Sequence, residues 1–200
     1  DAEGAGHLVH ELTPDGSHAD GEPAFVDSRP WRLDPVPLVI AHDEFRSLTR
    51  AVAQRAKMLE LLLADLYGER RLVRTGVIPP HVLFSVGALR TTMATHAPTR
   101  WLVHYAVDVI RVADGSWRVV QDLTDTPSGA GYAMLNRSVV ARVMPDAMRL
   151  AGVAPINTFA AVMRRALAAQ SPPGRKSPRT VVLTGGPTHA TYVEHSYLAV

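Results

Sequence analysis

Apolar residues recur at spacings of three and four between residues 43 and 68, which predicts a long amphipathic helix. Asp43 is placed to cap its start and Gly68 to close its end. We expect a helix packed mostly in a core, with Gln54, Arg55 and Asp65 as candidates for a functional face. The apolar stripe consists of Phe45, Leu48, Val52, Ala56, Leu59, Leu63 and Leu66.

A β-hairpin is predicted between Trp101 and Thr124, because two runs rich in β-branched residues flank the turn signal "ADGS". A loop made of residues 114–116 would place Asp108 opposite Asp122, whereas a two-residue loop would place it opposite Gln121. Opposed carboxylates repel unless a cation lies between them, and Mg²⁺ prefers such oxygen ligands. Two unrelated solvated acids explain the same pattern, so both interpretations stay open.

The remaining pattern predicts an α/β (α+β) fold with several short elements. Residues 1–36 are expected to form an extended or partly disordered arm, residues 37–172 a core, and residues 173–200 a linker and the start of a further α/β segment. The expected elements are short strands at 37–40 and within 70–86, a helix over 137–152 interrupted at Pro145, a helix over 157–170 capped by Asn157, and a buried strand at 180–186 followed by a glycine turn and a helix.

Composition removes several classes of function. The 200 residues contain no cysteine, which excludes disulfides, thiolate catalysis and cysteine-ligated metals. A net charge of +2 without a basic run argues against nucleic acid, and no apolar run reaches the ~20 residues of a membrane span. The polar N-terminus lacks a signal peptide and an initiator methionine. We therefore expect a cytoplasmic chain that is a fragment or a processed product.

Two glycine turns are candidates for binding. In "PSGAGY", residues 127–132, Gly129 and Gly131 let backbone N–H groups approach an anion at a helix start, although a tight loop explains them equally well. The second turn, Gly185–Gly186, follows the predicted strand at 180–186 and suits a nucleotide or substrate pocket. The PSGAGY turn lacks both the Gly-Lys-Ser/Thr of a P-loop and the full G-x-G-x-x-G dinucleotide pattern. The spacing of the nearby histidines matches no zinc motif.

Four segments resemble, in their order, the circularly permuted ATP-grasp proteins, the bacterial group related to glutathionylspermidine synthase. They are "QRAKMLELLLADLYG", "GVIPP", "HYAVDVIRVADGSWRVVQDLTDTPSGAGYAMLNR" and "VVLTGGPTHATYVEHSYLA". The resemblance runs from about Pro37 to the C-terminus and implies an incomplete ATP-grasp fold, with an antiparallel hairpin, flanking helices and a C-terminal strand–glycine turn–helix.

The resemblance also implies a ligase that uses ATP and Mg²⁺ to join a small carboxylate to an amine or a thiol through an acyl phosphate. It makes Ser128 and Arg137 catalytic candidates, with Arg137 pairing with an anion at a helix start. The implied nucleotide contacts are Ser128, Gly129, Gly131, Tyr132, Asn136, Arg137, Gly185 and Gly186. The implied metal ligands are Asp108, Asp122, Thr124 and Asn136, and the implied substrate contacts are Tyr192, Glu194 and His195.

Departures from the family pattern favour other interpretations. Thr124 stands where Asn is usual, Gly185 replaces a proline, and Asp125 adds charge. Only Lys57 and Lys176 could supply the lysines of a phosphate-clamping lid, so the lid is expected outside these residues. A non-catalytic binding or scaffold subunit, completed by a partner chain, a second copy or further sequence, is therefore the alternative. A plain α/β domain would be favoured if Asp108 and Asp122 faced opposite sides.

Overall fold

The computed structural model describes residues 8–12, 25–30, 32–34, 36–85, 87, 89–95, 98, 100–172, 174–187 and 189–199. The described elements combine helices with two small antiparallel sheets, which confirms the predicted fold class. They are β1 (Leu8–Leu12), β2 (Phe25–Pro30), α1 (His42–Tyr67), α2 (Arg71–Arg74), α3 (Pro80–Ser85), a 3₁₀ helix (Thr91–Thr95), β3 (Ala106–Arg111), β4 (Trp117–Leu123), α4 (Ala130–Val143), α5 (Pro145–Leu150), α6 (Thr158–Ala168) and α7 (Tyr192–Ala199).

The chain forms two compact units. The first comprises Asp1–Leu38, Ser128–Val162 and Arg179–Val200, and the second Val39–Pro127 and Met163–Pro178. In the first unit β1 and β2 pair antiparallel, so the predicted arm contains ordered strands that its polar composition did not reveal. The rest of the predicted arm up to residue 31 lies outside the described residues. The predicted limits at 37 and 173 stay predictions.

Helix α1 lies in the second unit and is more exposed than its apolar stripe predicts. It begins at His42, so Asp43 lies in the first turn and Ala41 takes the capping position without a side-chain bond. Its predicted end is confirmed, because the Gly68 N–H donates to the Asp65 carbonyl at 3.1 Å. None of its residues is buried, and Phe45 remains 56% exposed, so the expected core helix is a half-covered surface helix.

Three predicted short strands are wrong. Residues 37–40 and 180–186 carry no strand assignment in the described chain, and Val181 and Leu183 are 71% and 88% exposed rather than buried. Residues 80–85 form α3, with Pro80 at its first position, where a missing N–H is tolerated. An apolar run supplies the side chains of a strand but not the neighbour that must share its backbone hydrogen bonds.

The predicted hairpin is confirmed, with a turn that differs from both expected loops. The Val112 N–H donates to the Ser116 carbonyl at 2.9 Å, and Gly115 takes φ +83°, so the loop spans residues 113–115. A β-bulge next to Asp108 then shifts the register, which pairs Asp108 with Gln121 and Val107 with Asp122. Since cross-strand partners share a face and neighbours alternate, Asp108 and Asp122 lie on opposite faces.

The helix predicted from Arg137 starts seven residues earlier, at Ala130. Gly129 takes φ +105° at its N-cap position, which lets the loop turn directly into the helix. The expected interruption is confirmed, because α4 ends at Val143 and Pro145 opens α5. Helices α6 and α7 confirm the two remaining helix predictions. No helix in the described segments is both long and apolar enough to cross a bilayer.

A carboxylate on α1 fixes the segment that leads into the hairpin. Glu60 accepts the backbone N–H groups of Trp101 at 2.8 Å and Leu102 at 2.7 Å. The Trp101 ring also stacks on Tyr67, with centroids 4.7 Å apart. Since two backbone donors would lose their acceptor together, Glu60 contributes more to the stability of this unit than a surface acid does.

We expect Glu60→Gln to lower the free energy of unfolding by about 1–3 kcal/mol, because one of the two N–H groups would face an amide NH₂ instead of an oxygen. The matched control is Glu69→Gln, since Glu69 pairs with Arg71 on the surface. Urea unfolding of both variants measures the difference. Equal and small losses would contradict the role assigned to Glu60.

Candidate functional site

The glycine loop before α4 binds a carboxylate of the same chain. The N–H of Gly129 lies 2.8 Å from both carboxylate oxygens of Glu194, and the N–H of Gly131 lies 3.0 Å from Oε1. These groups stand at the N-terminus of α4, where unpaired N–H groups and the helix dipole favour a negative charge. The N–H groups predicted to meet an external anion therefore hold the Glu194 side chain.

Glu194 lies in the first turn of α7 and is 2% exposed, as the only buried polar or charged side chain of the described residues. No ion pair in the described part of the chain includes it. A buried charge requires hydrogen bonds or a counter-charge, so the loop N–H groups carry this task. A Cβ on Gly131 would lie 2.7 Å from Glu194 Cγ. The glycine at 131 is therefore required by the close approach of Glu194.

Tyr132 makes a second connection between α4 and the segment that leads into α7. Its hydroxyl donates to the Ala190 carbonyl at 2.7 Å. Burial, and then the charge of Glu194, raise the pKa of Tyr132, so the phenol stays protonated and keeps donating at neutral pH. Tyr132, predicted as a nucleotide contact, thus joins α4 to the segment that precedes α7.

A threonine hydroxyl joins two histidine rings at the second glycine turn. Thr191 Oγ1 lies 2.9 Å from His189 Nδ1 and 3.0 Å from His195 Nε2, and the Thr191 N–H reaches the same Nδ1 at 3.3 Å. The approach of the Thr191 N–H fits a His189 tautomer in which Nδ1 accepts, and the direction of the bond between Thr191 and His195 is set by the tautomer of His195. A Cβ on Gly185 would lie 2.7 Å from the His189 ring, and Gly186 takes φ +93°. Both glycines serve this turn.

The remaining candidates of this unit are spread along α4 and α7. Ser128 is exposed in the loop, directly before Gly129, and Arg137 lies two turns inside α4, where it donates to the Ala154 carbonyl at 2.9 Å. The expectation that Arg137 stands at a helix start is wrong, because α4 begins at Ala130. Asn136 lies on α4, and Tyr192 opens α7 with its N–H bonded to the His189 carbonyl.

In the second unit, Asp122 is bound by two side chains. Arg55 Nε and a terminal nitrogen donate to its two oxygens at 2.6 and 2.5 Å, and the Tyr105 hydroxyl donates to Oδ1 at 2.5 Å. The hydrogen bond from Arg55, then that from Tyr105, lowers the pKa of Asp122 to about 2. Burial, followed by the bond to Asp122, raises the pKa of Tyr105 to about 12. Asp122 is therefore a carboxylate that links α1 to the hairpin.

Among the predicted metal ligands, the hairpin does not bring Asp108 and Asp122 to one face, so these two acids do not share an Mg²⁺ site. Asp108 is exposed on the face opposite Asp122, and Thr124 is exposed one residue beyond β4. Asn136 lies on α4 in the first unit, and its role as a metal ligand stays a prediction. No group of three or more His, Asp or Glu side chains in the described segments could hold a metal ion. Mg²⁺ needs several oxygens around one point, and the described hairpin does not bring the two aspartates together.

The sequence did not reveal the partners of the glycine loop and of Asp122. The G-x-G spacing indicates backbone donors, but nothing in it identifies an acceptor 63 positions away. The face of α1 indicates Arg55 as a functional candidate, yet its partner Asp122 lies 67 positions away along the chain. Only the tertiary fold selects such pairs.

We expect Gly131→Ala to destabilise the protein by about 1–3 kcal/mol, because the added methyl group would push Glu194 away from its N–H donors. Gly87→Ala is the control, since a Cβ there meets no atom within 4 Å. Thermal unfolding of both variants measures the effect. A Gly131→Ala variant as stable as the control would contradict the close packing of Glu194.

Acidification should weaken the second unit through Asp122. The folded-state pKa, about 2, lies below the usual 3.8, so the carboxylate adds stability above about pH 4 that is lost as the pH falls toward 2. Solvent screening around the partly exposed Arg55 limits the gain to about 1 kcal/mol. Urea unfolding from about pH 6 to pH 2.5 should give a flatter profile for Asp122→Asn than for Asp108→Asn. Parallel profiles would refute the assignment.

Comparison with known proteins identifies the family. The model of the family described as circularly permuted ATP-grasp type 2 matches residues 37–200. An uncharacterized protein of Mycobacterium tuberculosis is 40% identical over 176 residues, which cover 87% of this chain and 20% of the relative. A Frankia casuarinae protein with the provisional name of glutamate–cysteine ligase is 38% identical over 174 residues, which cover 86% of this chain and 20% of that protein.

A further uncharacterized relative, from Mycobacterium leprae, is 38% identical over 173 residues, which cover 86% of this chain and 31% of the relative. The chain thus spans about a fifth to a third of the length of these proteins. The family match covers the glycine loop, the hairpin and α7 together, as the resemblance of the motifs predicted. The chain belongs to the circularly permuted ATP-grasp type 2 family.

Proposed function

We propose that this chain is part of an ATP-dependent ligase that joins a small carboxylate to an amine or a thiol. The observation that carries the proposal is the family match over residues 37–200. In this chemistry ATP phosphorylates the carboxylate, and the nucleophile then replaces the phosphate. Because the chain spans a minor part of its relatives, the proposal concerns the activity of the complete polypeptide that carries these residues.

The names of the Frankia relatives suggest which substrates to try first. Two of them, from Frankia casuarinae and Frankia alni, carry provisional glutamate–cysteine ligase names at 38% and 36% identity. Glutamate would supply the carboxylate and cysteine the amine. Both fit the carboxylate and amine classes that the motif resemblance implies. A specific relation to glutathionylspermidine synthase stays a prediction.

The role proposed for this chain is to hold and orient rather than to transfer phosphate. Its loop N–H groups are engaged by Glu194, and Arg137 is engaged by the Ala154 carbonyl. No reaction step is therefore assigned to either group. The contacts of Glu194 and Tyr132 keep α4 and α7 in one fixed arrangement, on which groups elsewhere in the polypeptide can rely.

A non-catalytic binding or scaffold subunit is the second candidate. The observation that favours it is the internal pairing of two of the acids predicted to have a function, Asp122 with Arg55 and Glu194 with the glycine loop. Such a subunit would keep the fold and leave turnover to a partner chain. ATP and Mg²⁺ belong to the ligase proposal and are tested with it, and a cytoplasmic location stays a prediction.

The test uses the chain in the longest form in which its own genome encodes it. We expect Mg-ATP binding by calorimetry, and ADP release that requires glutamate and cysteine together, because only a bound acceptor consumes the phosphorylated carboxylate. Omitting either amino acid is the matched control. Nucleotide binding without ADP release for any carboxylate–amine pair would favour the scaffold subunit. The absence of Mg-ATP binding would overturn the ligase proposal.

A further inference from the structure

We infer that Asp122 is a positioning residue, which holds α1 on the hairpin through Arg55 and Tyr105, and that it is not a ligand for a divalent cation. The inference concerns contacts inside the second unit. It therefore stands or falls independently of whether the complete polypeptide is a ligase. It departs from the metal role that the family resemblance implies for this aspartate.

The first argument is the occupancy of the carboxylate. Arg55 approaches Asp122 with a bidentate fork, and the Tyr105 hydroxyl takes a further position on Oδ1. Bidentate guanidinium–carboxylate pairs are among the stronger side-chain contacts because two parallel bonds fix the geometry. A divalent ion at either oxygen would have to displace a donor and stand beside the guanidinium charge. The cation at Asp122 is therefore Arg55.

The second argument is the surroundings of Asp122. Its cross-strand partner on the same face is Val107, which offers no oxygen side chain, and Asp108 faces the other side of the hairpin. A protein Mg²⁺ site needs near-octahedral oxygen ligands around one point. The hairpin register supplies one carboxylate to this face, and that carboxylate is already paired.

The third argument is that acids of α1 in the same unit also accept hydrogen bonds that hold the fold together. Glu44 accepts the Trp117 indole N–H at 2.8 Å and pairs with Arg111 at 3.0 Å. Glu60 accepts two backbone N–H groups, and Asp65 accepts those of Arg71 and Leu72 at the start of α2. Asp122 is also a structural acceptor, but here the acid lies on the hairpin and its donor, Arg55, lies on α1.

The direct test maps a paramagnetic ion onto the chain. Mn²⁺ is titrated into the ¹⁵N-labelled protein, alone and with a non-hydrolysable ATP analogue, with Mg²⁺ as the diamagnetic reference. We expect the amide signals of Val107 and Asp122 to keep their intensity, whether broadening appears elsewhere or nowhere. Selective broadening around Asp122 that disappears in Asp122→Asn but persists in Asp108→Asn would overturn the inference. If the Asp122→Asn variant does not fold, selective broadening of the Val107 and Asp122 amides in the wild-type protein overturns the inference, and unchanged intensity there supports it.

A double-mutant cycle tests the positioning role. Asp122→Asn and Arg55→Met should each lower Tm by about 2–4 °C, and the double variant should lower it little further, because both substitutions remove the same contact. Additive losses would contradict a role exerted through Arg55. These readouts are independent of turnover, so a failed ligase assay leaves them interpretable, and broadening at Asp122 would leave the ligase proposal standing.

Discussion

The buried carboxylate of Glu194 is the interaction on which the glycine loop depends. Its charge faces the backbone N–H groups of Gly129 and Gly131 instead of a basic side chain. Such an arrangement is stable only if the loop and the helix start keep their donors aligned, because a buried charge without donors is strongly unfavourable. The glycine at 131, the αL conformation of Gly129 and the position of α7 are therefore parts of one arrangement.

In the second unit, too, acids are paired with donors of the same chain. Asp122 meets Arg55 and Tyr105, and Glu60 meets two backbone donors, so acids that look available in the sequence are committed to the fold. A motif that matches a catalytic family thus carries structural duties as well. In this ATP-grasp segment, a residue can therefore match the family motif and still have a structural role in place of the role that the motif implies. The roles must be read from contacts in this chain.

The sequence predicted the elements that local pattern controls. The long helix α1, the hairpin, the break at Pro145 and the α7 helix follow from periodicity, turn residues and proline chemistry. The hairpin register did not, because one bulge reverses the face of Asp108 relative to Asp122. The prediction of a strand at 180–186 was wrong because a strand needs a neighbour that shares its backbone hydrogen bonds. The contact of Glu194 with the glycine loop was not predicted for a related reason, since a pattern of backbone donors does not identify the acceptor.

Hydrogen exchange at the glycine loop tests the central claim, that Glu194 fixes this loop, most directly. The account predicts slow exchange of the Gly129 and Gly131 amides in the wild-type protein and exchange at least about tenfold faster in Glu194→Gln, since the variant loses the charge and one acceptor oxygen. The amides of Trp101 and Leu102, which Glu60 binds, should exchange at the same rate in both proteins. Unchanged rates at both glycines would contradict the claim.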